Sequence, residues 1–458
     1  MSFEPVERKW GKSPLAFPLT VLVVVLILLV PLVVVLTRLY EPEPPGLVLA
    51  DELARIGLSS KIAVTATDER SGLRKVEVLL RQEQQEVTLL SREFPRQSWF
   101  FRAGPPSYNE TVEVAVGELG LRDGRAELVL RARDYSWRQR LAGNLAEEVH
   151  PLLIDTRPPV ISVGDATRYV RPGGTGLVRY TIDEEVARHG VMLNGIFHPG
   201  FPLSPELPGE YLAYFGLPYD TETISEALVI AEDLAGNRAR GGIAVNLRRV
   251  NYPRDRINLS DNFLRAKMPE FTAYYPEMSG SHLDQFLYVN REVRGMNDRR
   301  IREITSNSLP QRLWEGVFLR MARSSQRAGF ADHRSYFYEG SKIDEQVHLG
   351  VDLASVRQAE IESANHGVVV FAEYLGIYGN TVIVDHGQGV FSLYSHLSRI
   401  TVEDGERVER GGLLGYSGVT GMAGGDHLHF SMLVNGVFVD PIEWWDRSWV
   451  ENQLTVGR

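Results

Sequence analysis

One stretch limits every architecture open to this chain. From Leu19 to Leu36 it reads LTVLVVVLILLVPLVVVL, with Thr20 as the only polar residue. At about 1.5 Å per residue, some 18 helical residues nearly cross a hydrocarbon core of about 30 Å, and Phe17 and Thr37 extend the run. Pro31 is tolerated in a membrane helix, where neighbouring groups satisfy the backbone it frees. Arg8, Lys9 and Lys12 precede the run, whereas Glu41 and Glu43 follow soon after Arg38. Positive charge in excess on that side predicts a cytoplasmic N-terminus and the bulk of the chain outside. The run is longer than a signal peptide's apolar region, and no A-x-A-like site follows it. A cytoplasmic tail over 1–16 and a single transmembrane helix over 17–37 are therefore expected, in the cytoplasmic (inner) membrane.

At 458 residues the chain is too long for one ordinary core, and several units are expected. Its formal charge of −10 argues against sequence-independent nucleic-acid binding, which needs clustered basic surface. With no cysteine there is no disulfide, no thiolate metal site and no cysteine nucleophile. Any metal must be held by nitrogen and oxygen ligands.

After the apolar run, Glu41-Pro-Glu-Pro-Pro45 reads as a stiff, extended linker. Lys61–Thr67, Lys75–Leu79 and Thr111–Val116 then alternate apolar and polar residues as half-buried strands do. A weak repeat follows: Leu128–Asp134 leads to Gly143-Asn144, and Leu228–Asp233 leads to Gly236-Asn237. Asp155-Thr-Arg-Pro-Pro159 separates the two copies. These features resemble small immunoglobulin-like modules of bacterial surface proteins, which implies two β-sandwiches at 46–156 and 157–250. Plain spacing is the expected role, with a binding module for an envelope protein partner as the alternative. From 256 to 329 a helical linker is expected. Leu283, Phe286, Leu287, Val293, Met296, Ile301 and Ile304 recur near a 3.6-residue period, with Ser281 and Asp284 suiting a helix start.

Seven of the 11 histidines fall between His333 and His429. His427-Leu-His429-Phe430 opens an alternating run that reads as a strand, so both imidazoles share one face while Leu428 and Phe430 point to a core. His348-Leu-Gly-Val-Asp352 adds an imidazole and a carboxylate four residues apart. Nitrogens on a rigid face, met by a His and an Asp from elsewhere, suit a borderline-soft cation such as zinc. Three protein ligands would leave a position for water. The pattern alone does not say whether His427 or His429 is the ligand.

The stretch from Phe330 to Trp445, about a quarter of the chain, resembles the lysostaphin-type (LytM-like) zinc endopeptidases of bacterial peptidoglycan. The motifs that carry the resemblance are His348-x-Gly350-x-Asp352, His366-Gly, Gly379-Asn-Thr-Val-Ile-Val-Asp-His-Gly387, Tyr394-Ser-His396-Leu, Gly425-Asp-His427-Leu-His429-Phe430 and Val439-Asp440-Pro441. The resemblance implies a β-rich peptidase domain over 330–446 in a mainly β, multidomain chain. It implies that His348, Asp352 and His429 bind Zn2+, while His396 and His427 are catalytic. It implies hydrolysis of peptide cross-links in peptidoglycan, with a periplasmic setting for most of the chain. The competing expectation is a catalytically silent envelope protein that activates another cell-wall hydrolase. Relatives of that kind lose metal ligands, and none is missing here. Three positions depart from the usual pattern. Ser431 stands where Glu is common, Asp426 where Pro is frequent, and Phe330-Ala-Asp-His-Arg334 matches the first strand only loosely. They are expected to affect cleft shape. No His-Glu-x-x-His, Gly-x-Ser-x-Gly or Walker loop occurs.

Overall fold

The computed structural model describes residues 16–50, 53–99 and 101–454, with the side chains of 16–20 and 38 left out. The basic residues expected to set the orientation of the N-terminal run lie outside the described residues. The chain is mainly β and divides into two compact units, residues 1–157 with Leu234–Asn237, and 158–233 with 238–458.

In the first unit, a helix runs from Ala16 to Leu39, with Pro31 inside it and the apolar side chains from Val21 to Leu36 facing outward. Counted over residues whose side chains are described, no helix is long and apolar enough to cross a membrane. The helix is followed by a five-stranded sheet, in the order Arg55–Ile56, Leu145–Ile154, Gly124–Asp134, Leu73–Gln82, Gln85–Glu93, and a three-stranded sheet built on Ser59–Thr67. Alternate residues such as Ile62, Val64, Val76, Val78, Val112 and Leu128 meet in one core. That is the two-residue period read from the sequence. The Glu41–Pro45 segment is not a free linker, however. Glu41 is buried, its carboxylate accepts from Ser71 N and Oγ, and Asn144 Nδ2 donates to the carbonyls of Glu41 and Glu43. A proline-rich composition predicts an extended backbone. What composition does not show is that neighbouring donors fasten it down.

The second unit holds two four-stranded sheets, one ordered Phe201–Pro202, Glu210–Gly216, Thr175–Ile182, Ile161–Ala166 and the other Ile196–Pro199, Val186–Leu193, Ala227–Asp233, Arg238–Gly242. They pack through Val178, Tyr180, Val191, Phe215 and Val229. Beyond them lies an eight-stranded sheet whose central strands are Val351–Ala354, Leu428–Val434, Val390–Leu397 and Asn380–Asp385.

Both faces of that large sheet are covered. On one, Val382, Val384, Tyr394, Phe430 and Met432 join Trp314, Phe318 and Trp444, and also Leu177, Leu212 and Tyr214 of the smaller sheets. On the other, Ile383, Phe391, Leu393 and Leu433 meet Phe271, Phe286, Val289 and Ile301 of the helical segment. Burial on both sides explains why Val390–Leu397 is buried at every position. The smaller sheets, expected as a spacer, thus complete the core under the large one.

The helices run Asp261–Tyr274, His282–Tyr288 and Arg294–Ile304, the last two joined through a wider turn. Ser281 and Asp284 form the reciprocal cap that their spacing predicts. The helical expectation is too wide at both ends. Arg254–Asn258 is a strand paired in parallel with Asp332–Tyr338, and no helix follows Ile304 until Pro441. Arg-Asp-Arg-Ile-Asn carries no strand pattern of its own, so its conformation comes from its neighbour.

Arg171 ties the smaller sheets to the segment after Val439. It reaches Asp440 at 2.9 Å and Glu443 at 2.8 Å, and Glu443 also accepts from Thr175 N. Burial pushes Glu443 up to about 7 even with Arg171 beside it. Removing one partner of such a group strands the other charge without compensation. Arg171→Met is therefore expected to destabilise this unit by about 3 kcal/mol. A lowered denaturation midpoint for the Trp314–Trp444 fluorescence would show it, and an unchanged midpoint would refute it.

Candidate metal centre

The register of two strands sets the site. Asp352 lies directly opposite His429 in the antiparallel pair of Val351–Ala354 with Leu428–Val434. Opposed residues share one face, with Cβ atoms about 4.5–5.5 Å apart. Leu428 and Phe430 point into the Trp314 core, so His429, Ser431 and Asp352 point to the helix-covered face. His348 ends the strand Ser341–His348, and His427 precedes Leu428 in a bridge to Gly418. His396 stands near the end of Val390–Leu397 with a left-handed φ of 63°, a conformation costly for a residue with a Cβ.

Each imidazole has one nitrogen already committed. His348 Nδ1 donates to Gly329 O at 2.8 Å, His396 Nδ1 to Thr420 O at 2.9 Å and His427 Nδ1 to Gly425 O at 2.7 Å. A carbonyl oxygen can only accept, so the proton sits on Nδ1 and the neutral ring keeps its lone pair on Nε2. His429 is arranged the other way. Ser431 Oγ gives its hydrogen to Leu349 O at 2.7 Å and accepts from His429 Nε2 at 3.0 Å, which leaves Nδ1 bare.

Three electron-rich atoms then converge. His348 Nε2 lies 2.9 Å from His429 Nδ1 and 2.9 Å from Asp352 Oδ1, and His429 Nδ1 lies 3.0 Å from the same oxygen. Acceptors packed this closely repel one another unless a cation stands among them. The two nitrogens and one oxygen fit a small divalent metal, since tetrahedral ligands at about 2.0–2.1 Å lie roughly 3.3 Å apart. Arg334 donates to Asp352 Oδ2 at 3.1 Å, which turns Oδ1 toward the histidines. Gly350 leaves the space this needs, because a Cβ there would stand 2.6 Å from the His429 ring and from Ser431 Oγ.

Two further rings border the cluster. His427 Nε2 is 3.5 Å from Asp352 Oδ1, and the His396 ring centre is 4.9 Å from that of His427 and 5.8 Å from that of His429. Burial would raise Asp352, but the imidazoles around it, His348 first and then His427 and His429, hold it well below the usual carboxylate range. Burial lowers His429 to about 4. Burial, then repulsion from His427 and His429, pushes His396 well down. Burial opposes the charged form of His427 too, yet Asp352 and Gly425 O outweigh it and raise this ring.

The structure therefore brings together all five residues singled out in the sequence, His348, Asp352, His396, His427 and His429. They line a cleft of about 480 Å³ whose walls include Phe263, Phe286 and Arg294 of the helical segment. His386 is structural: buried, it spends its ring nitrogens on His366 O and Ser392 Oγ. Sequence reasoning noted Ser431 and Arg334 only as departures from the pattern and did not single out Tyr378, whose ring centre lies 5.5 Å from that of His429. For Ser431 the signal was present, since it stands two residues from His429 on the same strand face.

His348, Asp352 and His429 could hold a metal ion, and two more imidazoles stand beside them in the cleft. Residues 346–441 match the profile of Peptidase family M23, so the C-terminal region carries an M23 peptidase domain. The chain is 36% identical over 97 residues to the DD-carboxypeptidase/endopeptidase Mpg of Neisseria meningitidis, which covers 21% of this chain and 22% of the relative. It is 38% identical over 89 residues to the peptidoglycan DD-endopeptidase ShyA of Vibrio cholerae, 19% of this chain and 21% of the relative. The chain thus matches about a fifth of the length of these curated relatives. A crystal structure of an M23 peptidase from Pseudomonas aeruginosa aligns over 59% of this chain and 92% of its own, at 22% identity and a TM-score of 0.37.

Because Ser431 fixes which nitrogen of His429 is bare, Ser431→Ala is expected to weaken metal binding by about 10–100-fold while leaving the fold intact. Competition against a chromophoric chelator measures this. Unchanged affinity would rule out the role.

Proposed function

We propose that this protein is a zinc metalloendopeptidase that hydrolyses peptide cross-links of peptidoglycan, held at the outer face of the cytoplasmic membrane by its N-terminal helix. The observation that carries the metal reading is the convergence of three ligand atoms, from His348, His429 and Asp352, within 3.0 Å of one another. Two nitrogens and an oxygen, with no thiolate in the chain, favour zinc among the common cations. A zinc ion held there supplies Lewis-acid polarisation of a peptide carbonyl and makes water acidic enough to attack near neutral pH.

The chain's own groups do the rest. His396 keeps a bare Nε2 at the site because its Nδ1–H donates to Thr420 O, so it can accept a proton from the attacking water. His427, beside the Asp352 carboxylate, can carry a proton on Nε2 and donate it to the leaving amine or the developing oxyanion. The peptidoglycan substrate follows from the relatives' named activities, which the shared domain supports. The membrane reading is supported by the 24-residue helix, about 36 Å long at 1.5 Å per residue, with Val21–Leu36 turned outward. The bulk of the chain would then lie in the periplasm.

The test is the full chain in detergent, loaded with zinc and offered cross-linked sacculi. Cross-linked muropeptides should be converted to monomers. His396→Ala and His427→Ala should each cut the rate by about 100-fold or more while keeping bound zinc, whereas Asp352→Ala should lose both. A folded, zinc-loaded protein that releases nothing would overturn the peptidase reading. Failure to retain zinc in equilibrium dialysis would point instead to a silent activator of another hydrolase.

A further inference from the structure

The N-terminal helix does not feed a flexible tether. Leu39 is fully buried in the first unit, and its carbonyl accepts from Trp137 N at 2.7 Å and from Ser136 Oγ at 3.2 Å. With Glu41 fastened by Ser71 and Asn144, the helix ends directly in the β-structure. Whatever surface the helix leaves is therefore held against the end of the unit that carries these residues.

Two loops form that end, and both present apolar side chains to the outside. In the loop after Phe94, which pairs back through Gln97 N to Ala103 O, Trp99 is 60% and Phe101 74% exposed. Ala103 N in turn donates to Ser71 O, next to Glu41. In the turn Arg138–Leu141, three successive residues, Gln139, Arg140 and Leu141, have left-handed φ of 49°, 57° and 69°. Such a run is strained for residues with a Cβ, and here it leaves Leu141 51% exposed. Tyr40, at the helix exit, is 61% exposed.

Basic groups stand among these apolar ones. Arg96 lies over the Trp99 ring at 4.4 Å and Arg138 over Tyr40 at 5.9 Å, while Arg102 and Arg140 face outward. The other end of the unit, about 30 Å away along the ten-residue strand Leu73–Gln82, exposes Glu83, Gln84, Gln85 and Glu118, with Leu58 as an exposed apolar side chain beside them.

We propose that the helix-proximal end of this unit is a lipid-docking surface. Trp99, Phe101, Leu141 and Tyr40 enter the interfacial layer of the bilayer that holds the helix, and the four arginines contact anionic phospholipid headgroups. Aromatic residues favour that layer because the ring is apolar while its edge stays wet, and arginines near a charged leaflet add attraction. The inference rests on the membrane reading above, which supplies the occupant. Its consequence is a first unit that stands on the membrane in a fixed orientation.

The absence of cysteine makes a direct test available, since one introduced thiol is the only labelling site. The full chain, carrying an environment-sensitive fluorophore at Leu28→Cys, Phe101→Cys, Leu141→Cys or Glu118→Cys in turn, is reconstituted in phosphatidylcholine–phosphatidylglycerol vesicles with or without brominated acyl chains. Labels at 28, 101 and 141 should emit to the blue and be quenched roughly twofold by bromine, and the label at 118 should do neither. Quenching at 28 with water-like emission at both 101 and 141 would overturn the docking surface and leave the anchor standing. Water-like emission at 28 would overturn the anchor and the docking surface together. Quenching at 118 equal to that at 101 would reveal adsorption without orientation and overturn the docking surface.

Discussion

Three acceptor atoms within 3.0 Å of one another form an arrangement that folding alone does not favour. Each is pushed into that position by a bond on its far side: Gly329 O behind His348, Ser431 behind His429 and Arg334 behind Asp352. The cluster is thus prepared by its surroundings before any cation arrives. The rest of the second unit can be understood as the scaffold that makes those outer bonds rigid. A loss of register by one residue between Val351–Ala354 and Leu428–Val434 would send His429 to the opposite face and dismantle the site.

That register is protected by covering the sheet twice. Leu428 and Phe430 are buried in the Trp314 core, while Leu433 meets the helical segment, so every position of the strand has a partner on its own side. The His348–Asp352–His429 cluster sits on the helix-covered face, where Phe263, Phe286 and Arg294 form part of the cleft wall. The helical segment therefore contributes to the floor of the domain and to the shape of its cleft at once.

Much of the site was legible in the sequence because it depends on short-range periodicity. His427-Leu-His429-Phe430 implies one polar and one apolar face, and the structure shows both. Ser281 and Asp284 announce a helix start through local hydrogen bonding alone. What could not be read depends on partners distant in the chain. Arg254–Asn258 becomes a strand because Asp332–Tyr338 is beside it. Glu41–Pro45 is held by Ser71 and Asn144. Ser431 differs from the residue common at its place, and the sequence reads it as a departure. Only the three-dimensional arrangement shows that its hydroxyl accepts a hydrogen bond from His429 Nε2.

The shared core of Tyr214 with Trp314 and Trp444 bears on how the peptidase region can exist apart from the chain. A fragment beginning near the helices would strip Leu177, Leu212 and Tyr214 from that cluster and leave its aromatic face against water. It would also leave Asp440 and Glu443 without Arg171. A piece that keeps this core and these ion pairs whole therefore starts near Pro158, well before the stretch 346–441 that matches the family profile.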